Sequence, residues 1–237
     1  VSSACDYPKE ALEKDDVGRI DEPNLEKIVA LEPDLVIAAS VTKIESLERL
    51  TELGIKNIGF KPASINDTIN MIEDLAYLTS AQKAGDKIIS EMKNEYQSLK
   101  TLVEQQLSEN GRRKVFYEIW SDPLYTAGEG TFIDSLINDA GGYNIAREAE
   151  GSWPTYSLES LIDADPEVYI SSEHSTPDGL TLEELCQRDV FREISAFKND
   201  RLYIVDQDLV NRPSPRIVEG YKEFIKAIFP ELKEEIN

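Results

Sequence analysis

Two stretches of the chain repeat one local pattern without a gap. Residues 24–38 read NLEKIVALEPDLVIA, and residues 157–171 read SLESLIDADPEVYIS. Each copy opens on a good N-cap residue, Asn24 or Ser157, continues as a short helix with one apolar face, and stops at a proline nine residues later. The apolar run after each proline predicts a strand buried on both faces, as in a parallel sheet. The repeat therefore predicts two related α/β lobes, with chance agreement between two common α/β units as the alternative.

The segment between the two halves predicts one long helix. Residues 80–110 contain no proline, and Gly111 provides a stop. Apolar residues recur at steps of three and four along one stripe, namely Ile88, Ile89, Met92, Tyr96, Leu99, Val103 and Leu107. A coiled-coil arm is the competing interpretation, but the stripe is too short for several heptads.

These patterns together predict an α/β fold with two Rossmann-like lobes, each with a parallel sheet, joined by one long backbone α-helix. We expect an N-terminal lobe over residues 1–79, the connecting helix over residues 80–110 and a C-terminal lobe over residues 111–237.

Charge and residue usage exclude several classes of function. The chain has 25 Lys and Arg against 46 Asp and Glu, a net charge of −21, so we expect no nucleic-acid partner. The single histidine, His174, lies in a polar stretch that reads as an exposed loop. Hydrolytic triads and His-rich metal sites need an imidazole among specific partners, so we expect no catalytic and no metal residues. Cys5 and Cys186 predict either one disulfide or two inert thiols, and we favour the thiols.

Aromatic and polar residues collect in the loops that follow the predicted strands. Ligands of α/β sheets bind beyond the carboxyl ends of the strands, and both tryptophans of the chain fall there. Flat aromatic side chains suit a flat, bulky ligand, although rings under loops also serve as satellite core. The candidate ligand-binding residues are Tyr7, Ser40, Trp120, Asp122, Tyr125, Trp153, Tyr156, Arg212 and Arg216. For Arg216, capping of the last helix or pairing with an acid is the alternative role.

Five motifs carry a resemblance to a known family: Asp6-Tyr7-Pro8, the 24–38 unit, residues 120–128, Ser152-Trp153-Pro154 and residues 212–216. Together they resemble the substrate-binding proteins of cobalamin and iron-siderophore ABC importers, and are most similar to the cobalamin-binding members. The resemblance covers essentially the whole chain. It implies two α/β lobes bridged by one helix, a ligand held between the lobes, and delivery of that ligand to a membrane permease. It also implies a location outside the cytoplasmic membrane, often through a lipid anchor.

The same resemblance assigns roles to individual positions. Tyr7, Tyr125 and Trp153 correspond to aromatic residues that contact the corrin ring, whereas Ile20 and Ser40 stand where members can present tryptophan. Members offer one exposed glutamate per lobe to the permease. The matching positions here are Asn66 and Asn211, so the neighbouring carboxylates become the docking candidates, Asp67 and Glu219. Members also usually begin with a further strand and helix ahead of the position of Val1, so we expect the first lobe to lack that unit.

The sequence thus predicts an extracytoplasmic substrate-binding protein, not an enzyme, that captures a corrinoid such as cobalamin and needs no cofactor beyond this ligand. We expect a permease as its partner, and membrane contact only through that permease or an anchor. The alternatives are a ferric-siderophore or haem binder of the same class, or a first lobe too incomplete to bind anything. A two-lobed metal-cluster enzyme would need cysteine ligands in both lobes, which two cysteines cannot supply.

Overall fold

The chain folds into two compact units. A computed structural model describes residues 1–176 and 178–236. Its contacts define unit 1, Val1–Lys61, and unit 2, Pro62–Asn237. The helix expected at the end of the N-terminal lobe packs against the long helix, so it groups with unit 2. The lobe boundaries expected at 79/80 and 110/111 stay a prediction.

Unit 1 is built on two parallel strands. Its elements are α1 (Leu25–Ala30), β1 (Val36–Ala39), α2 (Ile44–Glu52) and β2 (Asn57–Phe60), after a 3-10 helix over Lys9–Glu13. Strand β1 pairs with β2 in parallel, with Val36 opposite Asn57. The Asn24 side chain accepts a hydrogen bond from the Lys27 amide at 2.9 Å, which confirms the predicted cap of α1.

The prediction of two buried faces is wrong for β1. Ile37 is 49% exposed, whereas Ala38, on the opposite face, is buried. Successive side chains of a strand point to opposite faces. Among residues 1–176 and 178–236, the Ile37 face of this sheet is therefore less well covered than the Ala38 face. In the second copy of the repeat, every strand residue is buried, as predicted.

Unit 2 is a mixed α/β unit around a five-stranded sheet. Its helices are α3 (Ile65–Leu78), α4 (Gln82–Asn110), α5 (Phe132–Asp139), α6 (Leu158–Ala164), α7 (Leu182–Cys186), α8 (Ser195–Lys198), α9 (Gln207–Val210) and α10 (Ile217–Ile228). Its strands are β3 (Arg113–Ser121), β4 (Leu124–Thr126), β5 (Gly142–Asn144), β6 (Val168–Ser172) and β7 (Leu202–Val205). Two 3-10 helices cover Asp189–Phe191 and Pro230–Leu232.

The sheet order places the carboxyl ends of three strands side by side. The order is β4-β3-β6-β7, with β5 also on β3. Strand β3 is parallel to β5 and β6, and β6 is parallel to β7, whereas β4 is antiparallel to β3. Loops that follow β3, β6 and β7 therefore share one edge of the sheet.

The predicted long helix is confirmed as α4. It ends at Gly111, whose φ of 69° suits glycine and whose amide donates to Leu107 O at 3.1 Å. At 1.5 Å per residue its 29 residues span about 44 Å. The middle of the predicted stripe, from Ile89 to Val103, is buried in the larger core cluster of unit 2, and Ile88 and Leu107 pack against that cluster.

We expect Gly85→Ala to destabilise the protein, although alanine is the better helix former. The new Cβ would lie 2.4 Å from the Cβ of Ala76, where α3 packs on α4. Overpacking costs about 1–3 kcal/mol, which outweighs the gain of about 1 kcal/mol in helix propensity. Urea unfolding should show a net loss, and the double variant Ala76→Gly/Gly85→Ala should recover part of it. A more stable single variant would contradict the close approach of the two helices.

Candidate ligand-binding site

Three antiparallel segments form the end of unit 2 that carries both tryptophans. Trp120 on β3 lies opposite Tyr125 on β4. Residues 151–156 pair with the other side of β4, with Thr155 opposite Tyr125. The amides of Thr126 and Gly128 donate to the carbonyls of Pro154 and Ser152 at 3.1 and 2.9 Å, and the Tyr156 amide donates to Leu124 O at 2.8 Å.

This register puts three aromatic residues on one face. The hydrogen bonds on either side of the Tyr125–Thr155 pair place Trp153 opposite Ala127, which follows β4 two residues after Tyr125. Residues directly opposite, and residues two apart, share a face of a sheet. We call Trp120, Tyr125 and Trp153 the aromatic face. The sequence groups these three with six other candidate residues, and their role as ligand contacts stays a prediction.

The rings of the aromatic face are available to a ligand. Trp153 is 56% exposed and Tyr125 is 36% exposed, and Trp120 is half-buried. The Trp120 indole donates to the carbonyl of Asp122 at 2.9 Å, which fixes the ring against the turn. The side chain of Asp122 is exposed beside it. Exposed aromatic rings on a hydrogen-bonded backbone present large apolar area at low cost in conformational entropy.

The structure places Tyr156 apart from this face. It is adjacent to Thr155 and opposite Leu124, so its side chain points to the other side of the segment. Its ring packs against Phe116 at a centroid distance of 5.3 Å, and its hydroxyl donates to Ile145 O at 3.3 Å. Burial raises the pKa of this hydroxyl. Tyr156 is therefore satellite core in this structure and is not brought to the aromatic face.

Two candidate arginines follow β7. Arg212 is half-buried and pairs with Asp208 at 2.9 Å, from Nε to Oδ1. Arg216 is half-buried at the N-cap position of α10, where its side chain makes no capping hydrogen bond. The capping alternative for Arg216 is thus not what the structure shows.

Tyr7 and Ser40 belong to unit 1. Tyr7 is 61% exposed ahead of the first 3-10 helix, and Ser40 is exposed directly after β1. Their predicted role as ligand contacts stays a prediction.

The two docking candidates are exposed carboxylates in the first turns of helices of unit 2. Asp67 in α3 accepts a hydrogen bond from the Ala63 amide at 3.0 Å, and its own amide donates to Ser64 Oγ at 3.1 Å. This reciprocal capping gives Asp67 a structural role as well. Glu219 in the first turn of α10 has no capping contact of this kind among the described residues.

The single histidine and the two cysteines take no part in a metal-binding cluster among the described residues. His174 is exposed in the loop after β6, as predicted. Cys5 and Cys186 are free cysteines. Over residues 1–176 and 178–236, no group of three or more His, Cys, Asp or Glu side chains is arranged to hold a metal ion. Over the same residues, no helix has the length and apolar character needed to cross a bilayer.

Sequence reasoning missed how closely the 151–156 segment approaches β4. A Cβ on Gly128 would lie 2.3 Å from the carbonyl oxygen of Gly151, so only glycine fits at this crossing. The absence of a side chain at Gly128 thus lets the segment carrying Trp153 lie against the chain that continues from β4. A lone glycine before a helix gives no sequence signal for such a contact.

We therefore expect Gly128→Ala to move the 151–156 segment. The clash is with a backbone carbonyl, which moves less easily than a flexible side chain. We therefore expect the free energy of unfolding to fall by about 1–2 kcal/mol. We also expect the tryptophan emission to shift. Gly59→Ala is the matched control, because its Cβ would make an ordinary 3.8 Å contact with Leu47. Equal stability of the two variants in urea unfolding would contradict the close approach at Gly128.

A family model described as "Periplasmic binding protein" matches residues 1–209 of the chain. The chain belongs to the periplasmic binding protein family. Among individual relatives, an uncharacterized ABC transporter substrate-binding lipoprotein, YvrC of Bacillus subtilis, is 30% identical over 238 residues, covering 98% of this chain and 73% of the relative.

Two solved structures share the fold over nearly the whole chain. The periplasmic vitamin B12 binding protein BtuF of Vibrio cholerae superposes with a TM-score of 0.84 at 27% identity, covering 98% of this chain and 88% of that one. A possible iron-binding (periplasmic solute-binding) protein from Staphylococcus epidermidis superposes with a TM-score of 0.78 at 30% identity, covering 97% and 89%.

Membership of this family confirms several predictions. The fold is that of two-lobed periplasmic binding proteins, with one long helix and sheets whose strands are mostly parallel; the antiparallel strand β4 departs from the predicted all-parallel sheet. The chain is a substrate-binding protein of the ABC-importer type, located outside the cytoplasm. The family consists of solute-binding proteins, so its members bind a small molecule and meet a membrane permease.

Proposed function

We propose that this protein captures a corrinoid such as cobalamin on the aromatic face and delivers it, chemically unchanged, to the permease of an ABC importer. The observation that carries the proposal is the register that places Trp120, Tyr125 and Trp153 on one face, with Trp153 more than half exposed. The vitamin B12 binding protein of V. cholerae, with the same fold at 27% identity, supports a ligand of this class.

The chemistry of the face fits a flat macrocycle with polar edges. The rings supply apolar area, and the exposed Asp122 carboxylate beside them can accept hydrogen bonds from the amide groups at a corrinoid's rim. Arg212 is already paired with Asp208, which reduces the positive charge it offers to a ligand. A ligand without a large negative charge suits this arrangement, and corrinoids meet that condition.

A ferric siderophore or haem is the second candidate. A solved structure at 30% identity is described as a possible iron-binding protein, and the half-buried Arg212 and Arg216 after β7 are the cationic groups that an anionic siderophore would meet. For haem, Tyr125 is an exposed phenol that could serve as an axial ligand.

Titration with four ligands separates these candidates. Cyanocobalamin, dicyanocobinamide, haem and a ferric siderophore are added in turn to the purified protein, with binding followed by calorimetry and by tryptophan fluorescence. Both tryptophans lie on the aromatic face, so a ligand there changes the emission of the whole protein. We expect cyanocobalamin and dicyanocobinamide to bind and to be recovered intact. Binding of the siderophore or of haem alone would overturn the corrinoid assignment, and silence towards all four would contradict the site.

The same titration tests the two unit 1 candidates. If Tyr7 and Ser40 contact the ligand, then Tyr7→Ala and Ser40→Ala weaken cyanocobalamin binding without lowering stability, because both side chains are exposed. Leu12→Ala, at another exposed apolar side chain of unit 1, is the control.

We also propose that Glu219 and Asp67 contact the permease. Both are exposed carboxylates at helix starts, and arginine pockets recognise such groups. Glu219→Lys should reduce ligand uptake into cells or vesicles while leaving ligand binding unchanged. Asp67→Asn keeps a capping side chain and separates docking from helix stability. Normal uptake by both variants would remove these residues as docking contacts.

A further inference from the structure

One fully buried carboxylate lies on β3, two residues before Trp120 of the aromatic face. Glu118 of β3 is 0% exposed and accepts hydrogen bonds from three side chains. Its Oε2 receives the Tyr169 hydroxyl and the Arg188 guanidinium, and its Oε1 receives the Ser171 hydroxyl at 3.2 Å. We call these four residues the Glu118 cluster. Burying an ion pair costs several kcal/mol in desolvation, so a purely apolar packing would serve stability at least as well.

The strand changes its register immediately after Glu118. Glu118 lies opposite Thr126, but the next paired residue, Trp120, lies opposite Tyr125, so Ile119 is a bulge. Residues two apart normally share a face, and the extra residue turns Trp120 to the face opposite Glu118. Without the bulge, Trp120 would point to the side of the buried carboxylate instead of joining Tyr125.

The partners of Glu118 connect this point of β3 to β6 and to the residues after α7. Ser171 and Tyr169 lie on β6, and Arg188 follows α7. The Arg188 guanidinium also lies 5.9 Å from the centroid of the Phe191 ring. One residue beyond Trp120, the Ser121 amide donates to the carbonyl of Ser175 at 3.0 Å. The C-terminal end of β3 is therefore held by the cluster at Glu118 and by the hydrogen bond between Ser121 and Ser175.

We propose that the Glu118 cluster is a positioning device that locks the bulge at Ile119 and so delivers Trp120 to the aromatic face. The residues of the cluster do not touch the ligand; they act through Trp120. The effect on ligand affinity rests on the proposed function, whereas the effect on Trp120 does not. Glu118, Tyr169, Ser171 and Arg188 are therefore positioning residues.

The test uses Trp120 as its own reporter in the protein without ligand. The background variant Trp153→Phe leaves Trp120 as the single tryptophan of the chain. Tyr169→Phe removes one hydroxyl from the cluster, and Ser171→Ala removes another by a smaller change. The matched control is Tyr221→Phe, because Tyr221 is equally buried and its hydroxyl donates to Asp139 O at 2.9 Å, outside the cluster.

We expect Tyr169→Phe and Ser171→Ala to raise the acrylamide quenching constant of Trp120 by about twofold and to reduce its near-UV circular dichroism, as a locally loosened strand end would. Tyr221→Phe should leave both unchanged. With Trp153 restored, Tyr169→Phe should weaken cyanocobalamin binding by about 3- to 10-fold, the size expected for a change that acts through a neighbour.

The possible outcomes separate this inference from the proposed function. If Trp120 is quenched equally in the two cluster variants and in Tyr221→Phe, the cluster is only a structural ion pair and the inference is overturned. If the cluster variants expose Trp120 but the unmutated protein binds no cyanocobalamin, the positioning role stands and the corrinoid assignment falls.

Discussion

Replacing Arg188 with methionine should lower the free energy of unfolding by about 3–5 kcal/mol, because it leaves the Glu118 carboxylate buried without its counter-charge. The Glu118 side chain is fully buried, and that of Arg188 is 19% exposed. Two hydroxyl donors remain, from Tyr169 and Ser171, but they cannot replace a full positive charge. A loss of this size is a large fraction of the 5–15 kcal/mol typical of folded domains. Urea unfolding followed by circular dichroism measures it.

Two further variants make this prediction specific to burial. Arg192→Met removes a guanidinium that pairs with Asp189 at 2.6 Å, but these side chains are 70% and 74% exposed, so we expect a change within about 1 kcal/mol. The double variant Glu118→Gln/Arg188→Met has no buried charge, and its amide oxygen still accepts from Tyr169. It should recover much of the lost stability. A cost of Arg188→Met no greater than that of Arg192→Met would refute the claim that the buried charge needs its partner.

The features that sequence reasoning predicted correctly are those set by local interactions. The caps Asn24 and Ser157 act within three residues, and the structure shows both as predicted. The stripe of α4 and its stop at Gly111 follow from helix periodicity and from the freedom of glycine at positive φ. The buried strand β6 was likewise predicted from its apolar run.

The features that the sequence did not predict depend on what lies across space. Ile37 belongs to an apolar run like that of β6, yet it is half exposed, because burial is decided by the layers that cover a strand. Tyr156 was grouped with Trp153 by proximity in sequence. It faces the core instead, because neighbouring residues of an extended segment point to opposite sides.

One member of the Glu118 cluster can be recognised from the sequence. Glu118 is a charged residue inside the apolar run of residues 115–120. A carboxylate at such a position indicates a hydrogen-bonding or positively charged partner, because carboxylates are almost never fully buried unless they are paired. Its partner Arg188 lies 70 residues away, and one sequence without an alignment cannot connect the two. The bulge at Ile119 is equally invisible, because it exists only in the pairing with β4.

Replacing Trp153 with alanine should weaken cyanocobalamin binding by about 30-fold or more while leaving stability nearly unchanged. A tryptophan contributes about 150–250 Å² of buried surface, and this one is 56% exposed before any ligand binds. Covering that exposed part with a corrin ring is worth about 2–3 kcal/mol at 25 cal/mol per Å², and 1.4 kcal/mol corresponds to tenfold in affinity. Isothermal titration calorimetry measures the dissociation constant, and urea unfolding measures the stability.

Tyr77→Ala is the matched control for this aromatic deletion. Tyr77 is 74% exposed on α3 and lies outside the aromatic face, so its loss should leave the affinity for cyanocobalamin unchanged. Trp153→Phe should fall between the unmutated protein and Trp153→Ala, since a smaller ring keeps part of the contact area. A graded loss at Trp153, with none at Tyr77, ties affinity to ring area on this face and not to aromatic content in general. Equal dissociation constants for Trp153→Ala and Tyr77→Ala would place the ligand elsewhere on the molecule.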